Sequence, residues 1–263
     1  MLTAVIVAVL FLTMSFLTIK VIENKGGVEM YRIEVCNLSK SYGKHRILED
    51  VSYGVREGKI YGLLGKNGSG KTTFLKIIAR LIPIRMYADK VTMMDAKGRL
   101  SAFIDQPACY MNLRVIDNLR LYAMLHMKNP HKRDEALQRT IEDFELRSML
   151  KKKAGELSLG MFQKVKSAMT FLSDADLLIF DEPFNGLDME ASLFIQEKMN
   201  AAKASGKTII ITSHQIDKLV QICDSFVVLH EGKLTPIHTD ALQKKSLEEM
   251  YSRILEEGEE KCS

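Results

Sequence analysis

Four short stretches of this chain are apolar without interruption: Lys59-Ile-Tyr-Gly-Leu-Leu64, Leu177-Leu-Ile-Phe180, Thr208-Ile-Ile-Ile-Thr212 and Ser225-Phe-Val-Val-Leu229. Strands covered on both faces read this way, as in a parallel sheet. Arg32-Ile-Glu-Val-Cys-Asn-Leu38 and Ile47 to Val55 instead alternate apolar with polar, the mark of half-buried strands. Ser39 to Lys44 lies between them and is predicted to be a turn carrying an aromatic. Elsewhere apolar residues return every three or four positions, predicting helices over Thr73–Arg80, near 189–204 and near 215–223. Three more amphipathic helical segments are predicted at roughly 114–127, 132–145 and 147–152. Strands that alternate with helices make the class α/β.

The first residues break this pattern. Met1 to Ile19 carries no charge, Lys20 follows, and nineteen uncharged, mostly apolar residues are long enough to span a bilayer as a helix. No basic residue precedes the segment, so it lacks the n-region of a secretory signal. Lys20 and Lys25 would leave the remainder of the chain in the cytoplasm by the positive-inside rule. A competing expectation is that Met30 opens the soluble domain and that the stretch before it is a misplaced translation start. Both readings stay open at this point.

Composition narrows the field further. With 263 residues the chain can form one large domain or two small ones, and 46% hydrophobic with 27% charged residues is ordinary for a globular protein. A net charge of +4 with no long basic block argues against a nucleic-acid partner. Lys151-Lys-Lys153, the densest basic run, is expected to be a solvated helix end. Cys36, Cys109, Cys223 and Cys262 form no CxxC pair, which argues against a zinc site and fits small buried thiols in a reducing compartment.

Candidate chemistry concentrates after the first buried strand. Gly65-Lys-Asn-Gly-Ser-Gly-Lys-Thr72 fits a glycine, four residues, then Gly-Lys-Thr. Glycines allow successive backbone N–H groups to turn toward a phosphate, and the following helix aims its positive end at the same anion. Gly65, Lys66, Asn67, Gly68, Ser69, Gly70, Lys71, Thr72 and Thr73 are therefore the expected phosphate contacts. Lys71 would reach the β- and γ-phosphates, and the Thr72 hydroxyl would take a position on Mg²⁺. A glycine-rich turn that happens to contain a lysine is the bland alternative, but strand, loop and helix stand in register. The chain is thus expected to bind a nucleoside triphosphate.

A second motif is Leu177-Leu-Ile-Phe-Asp-Glu-Pro183, where an apolar strand delivers two carboxylates to the edge at which open α/β sheets bind ligands. Asp181 would hold Mg²⁺ and Glu182 would act as general base on the attacking water. Alone, an Asp-Glu-Pro turn would mean nothing.

Further features fall in order around these two motifs, and together they resemble the ATP-binding cassette ATPases over essentially Tyr31 to Leu234. Tyr42 sits where that family stacks an aromatic on adenine, though a loop aromatic is the plainer reading. Gln106, in Phe-Ile-Asp-Gln-Pro, matches the glutamine that senses Mg²⁺ and touches the transporter partner. Leu157-Ser-Leu-Gly-Met161 occupies the signature position just before a helix, Asn185-Gly-Leu-Asp188 resembles the dimer-contact loop, and His214 matches a histidine that contacts the γ-phosphate. The signature departs from Leu-Ser-Gly-Gly-Gln, with Leu159 for the first glycine and Met161 for the glutamine. That variant resembles the ATPases of bacitracin- and lantibiotic-type peptide exporters.

The resemblance implies a P-loop NTPase fold with an antiparallel β subdomain and a helical subdomain at about 107–157. The ATP-binding domain would occupy 30–240, between a hydrophobic segment at 1–22 and a C-terminal helical tail at 241–263. It implies ATP and Mg²⁺ as cofactors, with Glu182, His214 and Lys71 catalytic and with Thr72, Gln106 and Asp181 on the metal. Ser158, Gly160 and Asp188 would act in trans on ATP held by a second cassette subunit, a homodimer or heterodimer partner. A separate membrane permease, driven by ATP-dependent dimer closure at the cytoplasmic face, completes the expectation. The alternatives are a cassette ATPase acting on ribosome or nucleic acid, or a regulatory ATP-binding subunit. A free metabolic P-loop kinase fits neither the signature position nor His214.

Overall fold

A computed structural model of the protein describes residues 31–82, 91–93, 100–104, 109–237 and 244–259. Met1–Ile19 and Gln106 lie outside these residues, and among the described ones no helix is long and apolar enough to cross a membrane.

The alternating segments form one antiparallel hairpin, β1 (Tyr31–Tyr42) with β2 (His45–Arg56), and β4 (Val91–Met93) joins β1 on its other edge. The hairpin is longer than the sequence pattern suggests. Tyr42 is the last residue of β1, paired with His45, and the turn is confined to Gly43 and Lys44. The expected six-residue turn at 39–44 is corrected accordingly: bulged pairs such as Lys40↔Leu48 and Ser41↔Arg46 extend the ladder to the tip.

The uninterrupted apolar runs are β3 (Ile60–Leu64), β6 (Leu177–Asp181), β7 (Thr208–Thr212) and β8 (Ser225–His230). With β5 (Leu100–Phe103) and β9 (Lys233–Ile237) they build a six-stranded sheet in the order β5-β6-β7-β3-β8-β9. All neighbours are parallel except the edge pair β8 and β9. Successive side chains point to opposite faces, and each face feeds its own core. Ile60, Leu64, Leu178, Phe180, Ile209, Ile211, Phe226 and Val228 pack with the helices on one side. Tyr61, Leu63, Leu177, Ile179, Ile210, Val227 and Leu229 pack on the other with the hairpin residues Ile33, Val35, Leu48 and Val51.

The helix α1 (Lys71–Ile78) fills the second core through Phe74, Leu75, Ile77 and Ile78. The first core takes α2 (Val115–His126), α3 (Pro130–Asp143), α4 (Leu159–Leu172), α5 (Met189–Ala204), α6 (Ile216–Val220) and α7 (Lys244–Glu259). Asn129 caps α3, its side chain accepting from the Lys132 N–H at 3.2 Å, with Pro130 at the first helical position.

One expected helix is absent. Residues 147–151 form consecutive turns, Lys152 is a bend and Lys153 bridges to Arg114, so the exposed run Lys151–Lys153 is not a helix end. The backbone is diverted by bonds to the start of α2: the N–H groups of Val115 and Ile116 donate to the carbonyls of Lys152 and Leu150 at 2.9 and 3.2 Å. The helix expected near 215–223 shortens to Ile216–Val220. Of the described cysteines, Cys109 and Cys223 are buried as expected, whereas Cys36 is exposed on β1.

Candidate functional site

The loop from Gly65 to Gly70 joins the central strand β3 to α1, so it leaves the sheet at its C-terminal edge. Gly70 is left-handed at φ +102°, and a Cβ there would come 2.7 Å from Ile47 Cγ2 of the hairpin. Only glycine fits both demands. No side chain caps the N-terminus of α1, which leaves its first amides available to an anion. Inside the loop Ser69 N–H donates to the Lys66 carbonyl at 3.1 Å, while the buried Ser69 hydroxyl has no partner among the described residues. Free amides beside an unpaired hydroxyl fit a phosphate group.

Lys71, the first residue of α1, is buried at 7% exposure, and its ammonium donates to the carbonyls of Gly65 and Lys66 at 2.7 and 3.1 Å. Burial pushes this amine below the usual lysine range, while the carboxylates of Glu182 and Asp181 pull it back up. One helical step on, Thr72 Oγ1 donates to Asp181 Oδ2 at 3.0 Å, and Thr212 Oγ1 at the end of β7 donates to Asp181 Oδ1 at 2.6 Å. A carboxylate and a hydroxyl side by side fit the oxygen preference of Mg²⁺.

Glu182 turns out of β6 with φ +51°. Its N–H is held by Thr212, by the hydroxyl at 3.0 Å and by the carbonyl at 3.2 Å. Its Oε2 lies 3.1 Å from His214 Nδ1 and accepts the His214 N–H at 3.4 Å. Three adjacent strands, β6, β7 and β3, thereby bring Lys71, Thr72, Asp181, Glu182 and His214 to one edge of the sheet.

A cleft of about 250 Å³ opens there, lined by Leu64, Gly65, Lys66, Asn67, Ser213, His214, Ile216 and Tyr251. Tyr251 belongs to α7, and nothing in the sequence pattern connects it with the phosphate loop. Burial raises its phenol above the ordinary value, opposed by the charge of Lys66. Thr212 also escapes a reading of the sequence, where it is merely the polar end of an apolar run. It nevertheless orients the Asp181 carboxylate and anchors the backbone N–H of Glu182.

The remaining candidates stand elsewhere. Gly68 sits in the loop, and Thr73 is half-buried on α1. Tyr42 is half-exposed, with the Lys40 ammonium 4.6 Å from its ring centroid. Its partner His45 is two residues from Ile47, which abuts Gly70. Ser158 caps α4 by accepting the Met161 N–H at 3.4 Å, and Asp188 caps α5 by accepting the Ala191 N–H at 2.8 Å. Neither they nor Gly160 line the cleft. Tyr110 is pinned by buried Asn118, whose Oδ1 accepts the Tyr110 N–H at 2.7 Å and whose Nδ2 donates to the Tyr110 carbonyl at 3.1 Å.

A buried cation flanks the site. Lys166 of α4 is 6% exposed, with its ammonium 4.0 Å from the centroid of the Phe103 ring, and burial pushes it down to about 8. Unfolded, the same amine titrates near 10.5. Between these values the unfolded chain keeps a proton that the folded chain has released, so stability rises with pH across that window. Below about pH 8 the penalty is fully present. Lys166→Met should therefore stabilise the fold at pH 7 by about 1–3 kcal/mol. Melting of both proteins at pH 7 and pH 9.5 checks this: the gap should narrow at the higher pH. A gap that does not narrow would show the charge to be compensated.

A phosphate loop, a strand-end Asp-Glu pair and a histidine from the next strand define a P-loop nucleoside triphosphatase built on a parallel sheet. A protein-family model described as ABC transporter matches residues 48–185, a little over half the chain. An uncharacterised ABC transporter ATP-binding protein of Methanocaldococcus jannaschii is 30% identical over 227 residues, covering 86% of this chain and 84% of that one. The bacitracin transport ATP-binding protein BcrA of Enterococcus faecalis is 32% identical over 225 residues, with 82% and 72% covered. The lantibiotic transport ATP-binding protein SrtF of Streptococcus pyogenes is 30% identical over 226 residues, with 84% and 96% covered. Among solved structures, an ATP-binding subunit of an ABC transporter superposes with a TM-score of 0.73 at 30% identity, covering 84% of this chain and 98% of that one. The chain belongs to the ABC transporter family, as an ATP-binding, ATP-hydrolysing subunit.

Proposed function

We propose that this subunit drives a separate membrane permease as part of a peptide exporter, by closing as a dimer around ATP. The observation that supports it best is the convergence of Lys71, Thr72, Asp181, Glu182 and His214 at one sheet edge beside the uncapped N-terminus of α1. The relatives named for bacitracin and lantibiotic transport, together with the Ser-Leu-Gly-Met signature, favour an exporter.

In this reading the amides of 65–72 and the Lys71 ammonium exchange their loop contacts for the β- and γ-phosphates, and Tyr42 stacks on the adenine. Asn67, Ser69 and Thr73 complete the phosphate contacts. Thr72 and Asp181, with Gln106 from outside the described residues, would hold Mg²⁺, which would supply charge neutralisation for the phosphates. Because Glu182 Oε2 carries the contacts to His214, Oε1 is the atom that takes a proton from the attacking water. The water oxygen bonds to the γ-phosphorus as the bond to the bridging oxygen of ADP breaks. His214 keeps the carboxylate turned toward the water and reaches the γ-phosphate. Ser158, Gly160 and Asp188 then serve the ATP held by the other subunit. ATP works as a ligand that binds the closed pair far better than the open one, and hydrolysis releases closure.

The residues 109–157 beside Gln106, locked by Asn118, pass the movement to the permease at the cytoplasmic face of the membrane. Affinity purification of the full chain from detergent-solubilised membranes should bring down a multi-span protein in stoichiometric amount. Ribosomes or nucleic acid in its place would overturn the transport reading. Washing the same membranes with alkaline carbonate tests Met1–Ile19: retention of the chain without a permease identifies an anchor, and release removes that role.

A further inference from the structure

Leu159 replaces a glycine of the family signature, and its side chain has a defined seat. It is half-exposed, yet its branched end rests on Gly186 of the loop that follows Glu182. A Cβ on Gly186 would fall 2.7 Å from Leu159 Cγ and nearer still to Cδ2, so the notch exists only because residue 186 has no side chain. Gly186 also sits at φ +71°, and the same contact line continues with Leu187 Cδ2, 3.8 Å from where a Cβ on Gly160 would lie.

The other end of this loop is tied to the candidate general base. Asn185 N–H donates to the Glu182 carbonyl at 3.3 Å, and Leu187 N–H donates to the Phe184 carbonyl at 3.2 Å. Two turns of backbone therefore run from Glu182 to Gly186, the Leu159 side chain sits on Gly186, and Ser158 is the residue before it. On the proposed dimer reading, on which this inference rests, Glu182 serves the ATP of its own chain and Ser158 serves that of the other.

We propose that Leu159 is a positioning residue, seated on Gly186 so that a shift at the general base of one ATP site is carried to the signature serine of the other. The loop 182–188 is the moving part, and the leucine is the contact through which it acts. A glycine at 159 would leave the two sites in one chain without this packing link, so the departure from the common signature is a tighter coupling and not a loss.

A double-mutant cycle on the full chain tests this. In Leu159→Ala with Gly186→Ala the two remaining Cβ atoms would lie 3.6 Å apart, an ordinary contact, so the pair can coexist. Gly186→Ala alone should lower kcat and flatten the cooperativity of ATP hydrolysis. In the Leu159→Ala background that loss should shrink by roughly five-fold or more, as expected for side chains in contact. The strain of a non-glycine at φ +71° is present in both backgrounds and cancels. If the two effects on kcat simply multiply, or if cooperativity is the same in all four proteins, the inference is overturned. ATP-dependent pairing of Glu182→Gln chains reports the dimer reading by itself. Pairing without coupling in the cycle would leave the dimer standing and remove only the role of Leu159.

Discussion

Glu182→Gln should lower ATP turnover by about 10²–10⁴-fold, the range spanned by losing a positioned general base, while ATP binding is retained. The amide keeps the shape of the side chain and its contact with His214, but it cannot take a proton from water. The stabilising contacts around it are few and shared: the Glu182 N–H stays on Thr212, and Asp181 keeps both hydroxyl donors. Melting temperature should hence move little, which separates a chemical defect from a folding one. Steady-state phosphate release and equilibrium binding of ATP read the two quantities. Undiminished turnover in this variant would take the base from Glu182.

The second large effect concerns sites shared between chains. Lys71→Ala should abolish the phosphate contacts of its own chain, and Ser158→Arg should block the neighbour's ATP with a bulky cation. Each variant alone should be nearly inactive. Mixed in equal amounts, half the dimers carry both variants and keep one composite site of two, so about a quarter of wild-type activity should return if the sites work independently. Recovery of this kind cannot occur if Ser158 serves its own chain's nucleotide, since every chain then carries a broken site. Where the two sites fire only together, the mixture stays silent, and a crosslink that joins Ser158 of one chain to the phosphate loop of the other distinguishes the cases.

How far the sequence carries depends on which force sets each element. The four buried strands are legible because a strand covered on both faces excludes polar residues, and β3, β6, β7 and β8 appear within a residue or so of where their apolar runs lie. The edge strand β9, Lys-Leu-Thr-Pro-Ile, is invisible to the same reasoning. It is exposed along one side and tolerates Pro236 because an edge needs fewer backbone donors. Residues 147–152 mislead for a different reason. Their apolar spacing is satisfied by Met149 and Leu150 packing in the helical core, but backbone bonds to Val115 and Ile116 outcompete a helical turn.

The site divides along the same line. Gly65–Thr72 and Asp181–Glu182 are local patterns, and their chemistry follows from residue type and order. Thr212 and Tyr251 join only through the sheet order and the return of the C-terminal helix, contacts between residues far apart in the chain. The placement of Leu159 on Gly186 belongs to this second kind. The sequence shows only that a glycine is missing from the signature and that another is present in the following loop.

The mass of Glu182→Gln chains in solution, followed by light scattering with and without Mg²⁺-ATP, decides whether ATP is held between two subunits. A shift from monomer to dimer on adding ATP, reversed when ADP is supplied instead, is the predicted result. An unchanged mass at ATP concentrations that saturate binding would contradict closure of two chains around nucleotide as the source of the motion.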